Sequence, residues 1–134
     1  MSHFHLTYTT RSVPSIPFAT IKDHILGPKY ELTLALIGRT RAKALNQRSR
    51  GKSYTPNVLS FPLTKTTGEI YLCPAVAARE ASAFGRTTTA QLTFLFIHGL
   101  LHLKGYDHGA TMERLEEQWC KTFKCSPAPE PTSI

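Results

Sequence analysis

TTAQLTFLFIHGLLHLK, Thr88 to Lys104, followed at once by Gly105, is the stretch that decides how this chain folds. Leu92, Phe94, Leu95, Phe96, Ile97, Leu100, Leu101 and Leu103 leave no polar side to a helix wound from it. A helix apolar all round belongs in the middle of a domain, covered by other elements. Lys104 in the last turn and Gly105 just beyond it are C-terminal signals. The apolar run from Leu92 to Leu103 is too short to span a bilayer and contains two histidines, so no membrane association is expected.

Other elements arrange themselves around that helix. Residues 3 to 9 alternate apolar and polar, which predicts a strand with His3 and His5 on one face, read as exposed strand positions rather than as metal ligands. Residues 17 to 26 predict a short helix ended by Gly27-Pro28, and Glu31 to Ile37 a second strand. Arg39 to Arg48 has a helical pattern through Ala42, Ala44 and Leu45. Asn57 to Leu63 and Glu69 to Cys73 predict short strands bounded by Pro56, Gly68 and Pro74. Helices over Ala75 to Ala83, broken by Gly85, and over Ala110 to Phe123 complete the set. Strands first and helices after predict an α+β domain, its helices packed on one small sheet.

The chain has 134 residues, the size of one domain, and should bury roughly two-thirds of its unfolded surface without disulfide staples. We read residues 1–125 as that domain and 126–134, with prolines at 127, 129 and 131, as a disordered tail. The N-terminus lacks a basic region followed by an apolar one, so secretion is not expected. Cys73, Cys120 and Cys125 are an odd number and form no C-x-x-C, which predicts free thiols in a reducing, cytoplasmic compartment.

Charge points to a class of partner. Sixteen Lys and Arg against nine Asp and Glu give a net charge of +7. Arg39, Arg41, Lys43, Arg48, Arg50 and Lys52 fall in one stretch without an acid. Such a stretch attracts polyanions by neutralising phosphates and releasing their counterions; a plain solvated face is the bland alternative.

His98-Gly-Leu-Leu-His102 places two imidazoles one turn apart on one helical face. Gly105 lets the chain reverse so that His108 can supply a third nitrogen. Two histidines inside an apolar helix would otherwise each need a buried partner, since an unpaired polar ring costs about 1–3 kcal/mol. Three neutral imidazoles suit one zinc ion, with a fourth position left open, the arrangement of a catalytic site. The zinc-protease helix H-E-x-x-H carries a Glu where this chain has Gly99, which argues against a peptidase. Gly99 instead removes a side chain beside the metal and would let a bulky substrate approach, or else permits close helix packing.

The run His98-Gly-Leu-Leu-His-Leu-Lys-Gly-Tyr-Asp-His108 resembles the signature H-G-x-L-H-L-x-G-Y-D-H of the YbeY family, bacterial endoribonucleases of ribosomal RNA maturation. Asn57-Val-Leu-Ser-Phe-Pro62 resembles that family's (N/D)-V-L-S-F-P strand, and Gly68-Glu-Ile70 with Cys73-Pro74 the strand after it. The resemblance runs from about Glu31 to Glu117. It implies a mixed sheet with surrounding helices and a zinc ion on His98, His102 and His108. It further implies hydrolysis of single-stranded RNA in maturation of the small-subunit rRNA 3′ end and in ribosome quality control. The small ribosomal subunit and its proteins are the implied partners, and DNA is not expected. Arg50 stands where the family has an arginine thought important for activity. Ser53 replaces a usual Asp and Thr55-Pro56 an expected Pro-Thr, and a shift of two residues would put Arg48 there instead.

By this reading zinc activates water, Arg50 stabilises transition-state charge, and Asp107 either orients a ligand ring or shapes the turn after Gly105. Ser60 and Tyr106 reach the cleft or are structural. Glu113, Glu116 and Glu117 are taken as solvated charge on the last helix. The competing reading is a non-catalytic, zinc-braced module that binds RNA or the ribosome.

Overall fold

A computed structural model describes residues 3–8 and 15–127. Strand β1 (Phe4–Tyr8) is followed by α1 (Phe18–Leu26), β2 (Glu31–Leu36) and α2 (Arg39–Arg50). Then come β3 (Val58–Pro62), β4 (Thr67–Leu72), α3 (Pro74–Ala81), α4 (Thr88–Lys104) and α5 (Ala110–Phe123). The α+β class holds. The expected succession, strands and then helices, does not: the first half alternates strand and helix. The sheet order β1-β2-β4-β3 explains why. β1, β2 and β4 run parallel, and only β3 is antiparallel to its neighbour. Parallel neighbours need a crossover connection, and α1 and α2 are used in those connections.

Element boundaries follow local chemistry. α2 runs two residues beyond the expected Arg48 because Gly51 adopts φ 68° and its N–H bonds the Gln47 carbonyl. α3 begins at Pro74, at the helical position where a missing N–H costs nothing. α4 has the expected limits. The Thr87 hydroxyl accepts from the Ala90 N–H at 3.1 Å, and Gly105 ends the helix at φ 110°. Of the expected tail, Ser126 and Pro127 are described, and 128–134 lie outside the described residues, as does Thr9 at the end of the first expected strand. No described helix is long and apolar enough to cross a membrane.

α4 is the centre of the molecule, packing on α1, α3, α5, β3 and β4. Phe96, Ile97 and Leu100 are fully buried against Leu32, Leu34, Leu36, Ile70 and Leu72 of the sheet. Phe18 of α1 meets Phe96 edge-on at 5.0 Å. Each such side chain contributes about 1.5–3 kcal/mol through burial. A smaller cluster, Ala35, Ile37, Ala42, Cys73 and Val76, packs apart from this core and brings in α2 and α3. Gly99 lies where α4 crosses the sheet: a Cβ there would sit 2.8 Å from Ser60 Oγ and 3.1 Å from Ile70 Cδ1. Of the two readings of this glycine, close packing is the one the structure supports.

β3 is an edge strand. Cys73 N–H bonds the Asn57 carbonyl and Leu63 N–H the Thr67 carbonyl, both at 3.0 Å. Alternate residues between those bonds, Leu59 and Phe61, therefore turn their backbone groups to β4, and Val58 and Ser60 turn theirs to the free edge.

Candidate metal centre

His98 and His102 project from one face of α4, and the reversal at Gly105 carries His108 over them. Ring centroids are 4.6 Å apart for His98–His102, 5.0 Å for His98–His108 and 4.7 Å for His102–His108. One ring nitrogen from each lies within 4.8 Å of the others. The far nitrogens of His98 and His102 are already engaged. His98 Nδ1 is 3.1 Å from Glu116 Oε1, and His102 Nδ1 is 3.0 Å from the carbonyl oxygen of Tyr106. A carbonyl only accepts, so Nδ1 of His102 carries the hydrogen and Nε2 presents a lone pair. The Gly105 turn makes that possible: Tyr106 N–H closes the helix on the Leu101 carbonyl at 3.0 Å, leaving its own carbonyl beneath the ring.

With Glu116 accepting from His98 in the same way, two Nε2 lone pairs confront each other at 3.1 Å. Lone pairs at that distance repel unless a cation or a proton lies between them. Two imidazole ligands of a tetrahedral ion with metal–nitrogen bonds of about 2.0–2.1 Å would stand about 3.3 Å apart. The donor set and its spacing thus fit a first-row divalent metal ion. Burial lowers the pKa of His102 from its ordinary value, and the neighbouring His98 and His108 lower it further. A ring kept neutral is a ring able to donate a lone pair.

These histidines stand in a groove of about 850 Å³. β3 supplies one wall, Phe94 and Leu95 of α4 part of the floor, and Arg50 with Tyr54 the far rim. Arg50, not Arg48, is the arginine that lines it. Its Nη1 donates to Asn46 Oδ1 at 3.3 Å and to the Tyr54 hydroxyl at 3.1 Å. Asn46 is fully buried and holds the Tyr54 carbonyl at 3.0 Å, so the arginine is braced from below. At the other end a chain of hydrogen bonds ties the elements behind the groove. Asn57 Nδ2 reaches Glu80 at 3.1 Å, Gln91 donates to Glu80 at 3.4 Å, and Arg86 donates to Gln91 at 3.2 Å. Arg86 also bonds the Cys125 carbonyl at 2.9 Å and stacks 4.2 Å over Phe94.

The model of the family described as "Endoribonuclease YbeY" matches residues 10–124. This chain belongs to the YbeY family. Among its curated relatives, the Endoribonuclease YbeY of Aromatoleum aromaticum is 39% identical over 95 residues, covering 69% of this chain and 62% of that protein. The Endoribonuclease YbeY of Thiobacillus denitrificans is 34% identical over 108 residues, covering 75% of this chain and 74% of the relative. The chain thus spans somewhat less than two-thirds of the length of the first of these relatives. Among solved structures, the solution structure of TM1509 from Thermotoga maritima superimposes with a TM-score of 0.68 at 24% identity, covering 98% of this chain and 99% of that one. That likeness concerns the fold.

The structure rearranges some of the roles expected from the sequence. Glu116, expected as solvated charge, is buried against His98. Asp107 acts on His102 through its charge, while the ring-orienting acceptors are Glu116 and the Tyr106 carbonyl. Ser60 lines the groove and donates to the Gly99 carbonyl at 3.2 Å. The Tyr106 side chain packs on the core. Cys120 and Cys125, expected as free thiols, are joined in a disulfide with Cα atoms 4.6 Å apart. Lys124 reverses the chain at φ 60°, and Cys125 N–H bonds the Cys120 carbonyl at 2.9 Å, which swings the second sulfur back over the helix end. Cys73 remains free and buried. His3 and His5 are exposed as expected, and His5 faces Glu31 at 3.6 Å.

Proposed function

We propose that this chain is a single-strand-specific, zinc-dependent endoribonuclease, working in the cytoplasm through one domain that ends near residue 125. Ribosomal RNA of the small subunit, its 3′ end included, is the proposed substrate, and maturation and quality control of that subunit the proposed setting. The observation that carries this reading is the convergence of histidine lone pairs at the base of an open groove whose rim holds a braced arginine.

His98, His102 and His108 would hold the zinc ion. When bound there, zinc supplies Lewis acidity and lets water ionise near neutral pH. Arg50 binds the scissile phosphate. Because Nη1 is taken up by Asn46 and Tyr54, its Nε and Nη2 edge is left, among the described residues, to grip two phosphate oxygens as a fork. Its positive charge then opposes the negative charge that grows on those oxygens during attack. Tyr54, more than half exposed, offers its ring as a platform for an unpaired base, worth about 1–3 kcal/mol for stacking. The outward N–H groups of Val58 and Ser60 present further donors along the groove. Exposed Arg39, Arg41, Lys43 and Arg48 on α2 extend the positive surface that draws in the strand.

A zinc-braced docking module without catalysis is the second reading, favoured by the basic helix alone. Against it stands the three-ligand donor set facing an open groove, since structural zinc sites are normally closed by four ligands. The test is cleavage of a labelled single-stranded RNA by metal-stripped protein before and after one equivalent of zinc, with His102→Ala prepared alongside. Cleavage restored by zinc in the wild type alone supports the nuclease. Tight zinc binding without cleavage moves the reading to the docking module.

A further inference from the structure

Glu116 has no place in the eleven-residue signature, yet it is a buried carboxylate aimed at a ligand ring. We propose that Glu116 is a positioning residue that holds His98 in its metal-ready tautomer, and that without it the centre closes on itself. This inference rests on the metal site proposed above.

The state of the centre depends on where one hydrogen sits. His102 is fixed with its hydrogen on Nδ1, because the Tyr106 carbonyl 3.0 Å away can only accept. Its Nε2 is therefore a lone pair, 3.1 Å from Nε2 of His98. That distance is also right for a hydrogen bond. Left to itself, His98 would relieve the clash by carrying its hydrogen on Nε2 and donating it to His102. The hydrogen would then lie between two of the three nitrogens a metal must reach. Glu116 Oε1, 3.1 Å from His98 Nδ1, reverses the preference by accepting from the other nitrogen. Its side chain is only 11% exposed and the His98 side chain 18%, so water competes weakly for that bond. The anion also compensates part of the dication's charge. The two ring-orienters differ in kind: a main-chain carbonyl serves His102, and a replaceable side chain serves His98.

Glu116→Ala, Glu116→Gln and Glu117→Gln separate this role from general charge or folding effects. Glu117 neighbours Glu116 but is exposed, so its substitution removes the same charge without touching His98. Zinc affinity would be measured by chelator competition, and the His98 tautomer in metal-free protein by nitrogen-15 NMR of the imidazole. Expected for Glu116→Ala are a 10–100-fold loss of zinc affinity and transfer of the His98 hydrogen from Nδ1 to Nε2. Glu116→Gln keeps an acceptor oxygen, and should keep the wild-type tautomer with a smaller loss of affinity. Glu117→Gln should match the wild type in both. Wild-type zinc affinity and an unmoved tautomer in Glu116→Ala would overturn the inference while leaving the metal site standing. A wild type that binds no zinc would overturn both.

Discussion

The two walls of the groove are built on opposite principles. On the α4 wall each histidine that comes from the helix is held through its second nitrogen, and the glycine beside them is locked against Ser60 and Ile70. On the α2 wall Arg50 is exposed, and its braces, Asn46 and Tyr54, come from its own helix and the turn after it. Rigidity on one side suits a metal, whose ligands must be set before it arrives. Exposure on the other suits a charged polymer, which must be met in water before it is bound. Substitutions on the first wall should therefore disturb metal binding or folding, and those on the second should disturb RNA handling while leaving metal binding intact.

The largest effect is expected from His102→Ala, which should lower RNA cleavage to the level of chelator-treated protein and weaken zinc binding in the same assay. A variant that kept zinc-restored cleavage would break the comparison at its root. Arg50→Ala should cut the cleavage rate by about 10²–10³-fold, the usual cost of losing one transition-state donor. Zinc affinity should not change, whereas stability should fall by about 1–3 kcal/mol, because the buried Asn46 Oδ1 loses the donor that Arg50 supplies. Loss of zinc affinity there would mean that the walls are not independent. Gly99→Ala should destabilise the fold by about 1–3 kcal/mol in denaturant unfolding, because the new methyl group would meet Ser60 Oγ and Ile70. Adding Ser60→Ala should recover part of that loss. Lys43→Ala, the mildest change, should leave folding and zinc binding alone. If it removes one phosphate contact, the slope of log affinity for single-stranded RNA against log salt should fall by about 0.7.

The α4 wall was the more legible in sequence, because its signals are local. The i, i+4 histidines, the apolar run and the closing glycine all lie within Leu92 to His108, and α4 and α5 have the limits expected of them. Glu116 escaped because its partner is 18 residues away and its neighbours Glu113 and Glu117 are exposed. A signal was present: Met112, Glu116 and Cys120 recur every fourth residue on the buried face of α5. An acid in phase with an apolar stripe needs a buried partner. The Cys120–Cys125 bond was hidden for a related reason, since only the reversal at Lys124 brings the two sulfurs together. Strand order was the least legible feature. It depends on parallel pairings such as Leu32 with Gly68, which no short-range pattern encodes. Arg50 lies between these cases: its placement needed the αL turn at Gly51, which sets where α2 stops and so which arginine faces the groove.

The ligands, the Tyr106 carbonyl and Glu116 all lie between residues 98 and 116, within the pair of helices α4 and α5 joined by one short turn. In the language of folding kinetics, the centre has low contact order. Its loop-closure entropy is that of a short turn, whereas Arg50 must wait for the sheet to unite segments far apart in the chain. The candidate metal centre is thus a local structure that can be complete while the groove around it is still being assembled.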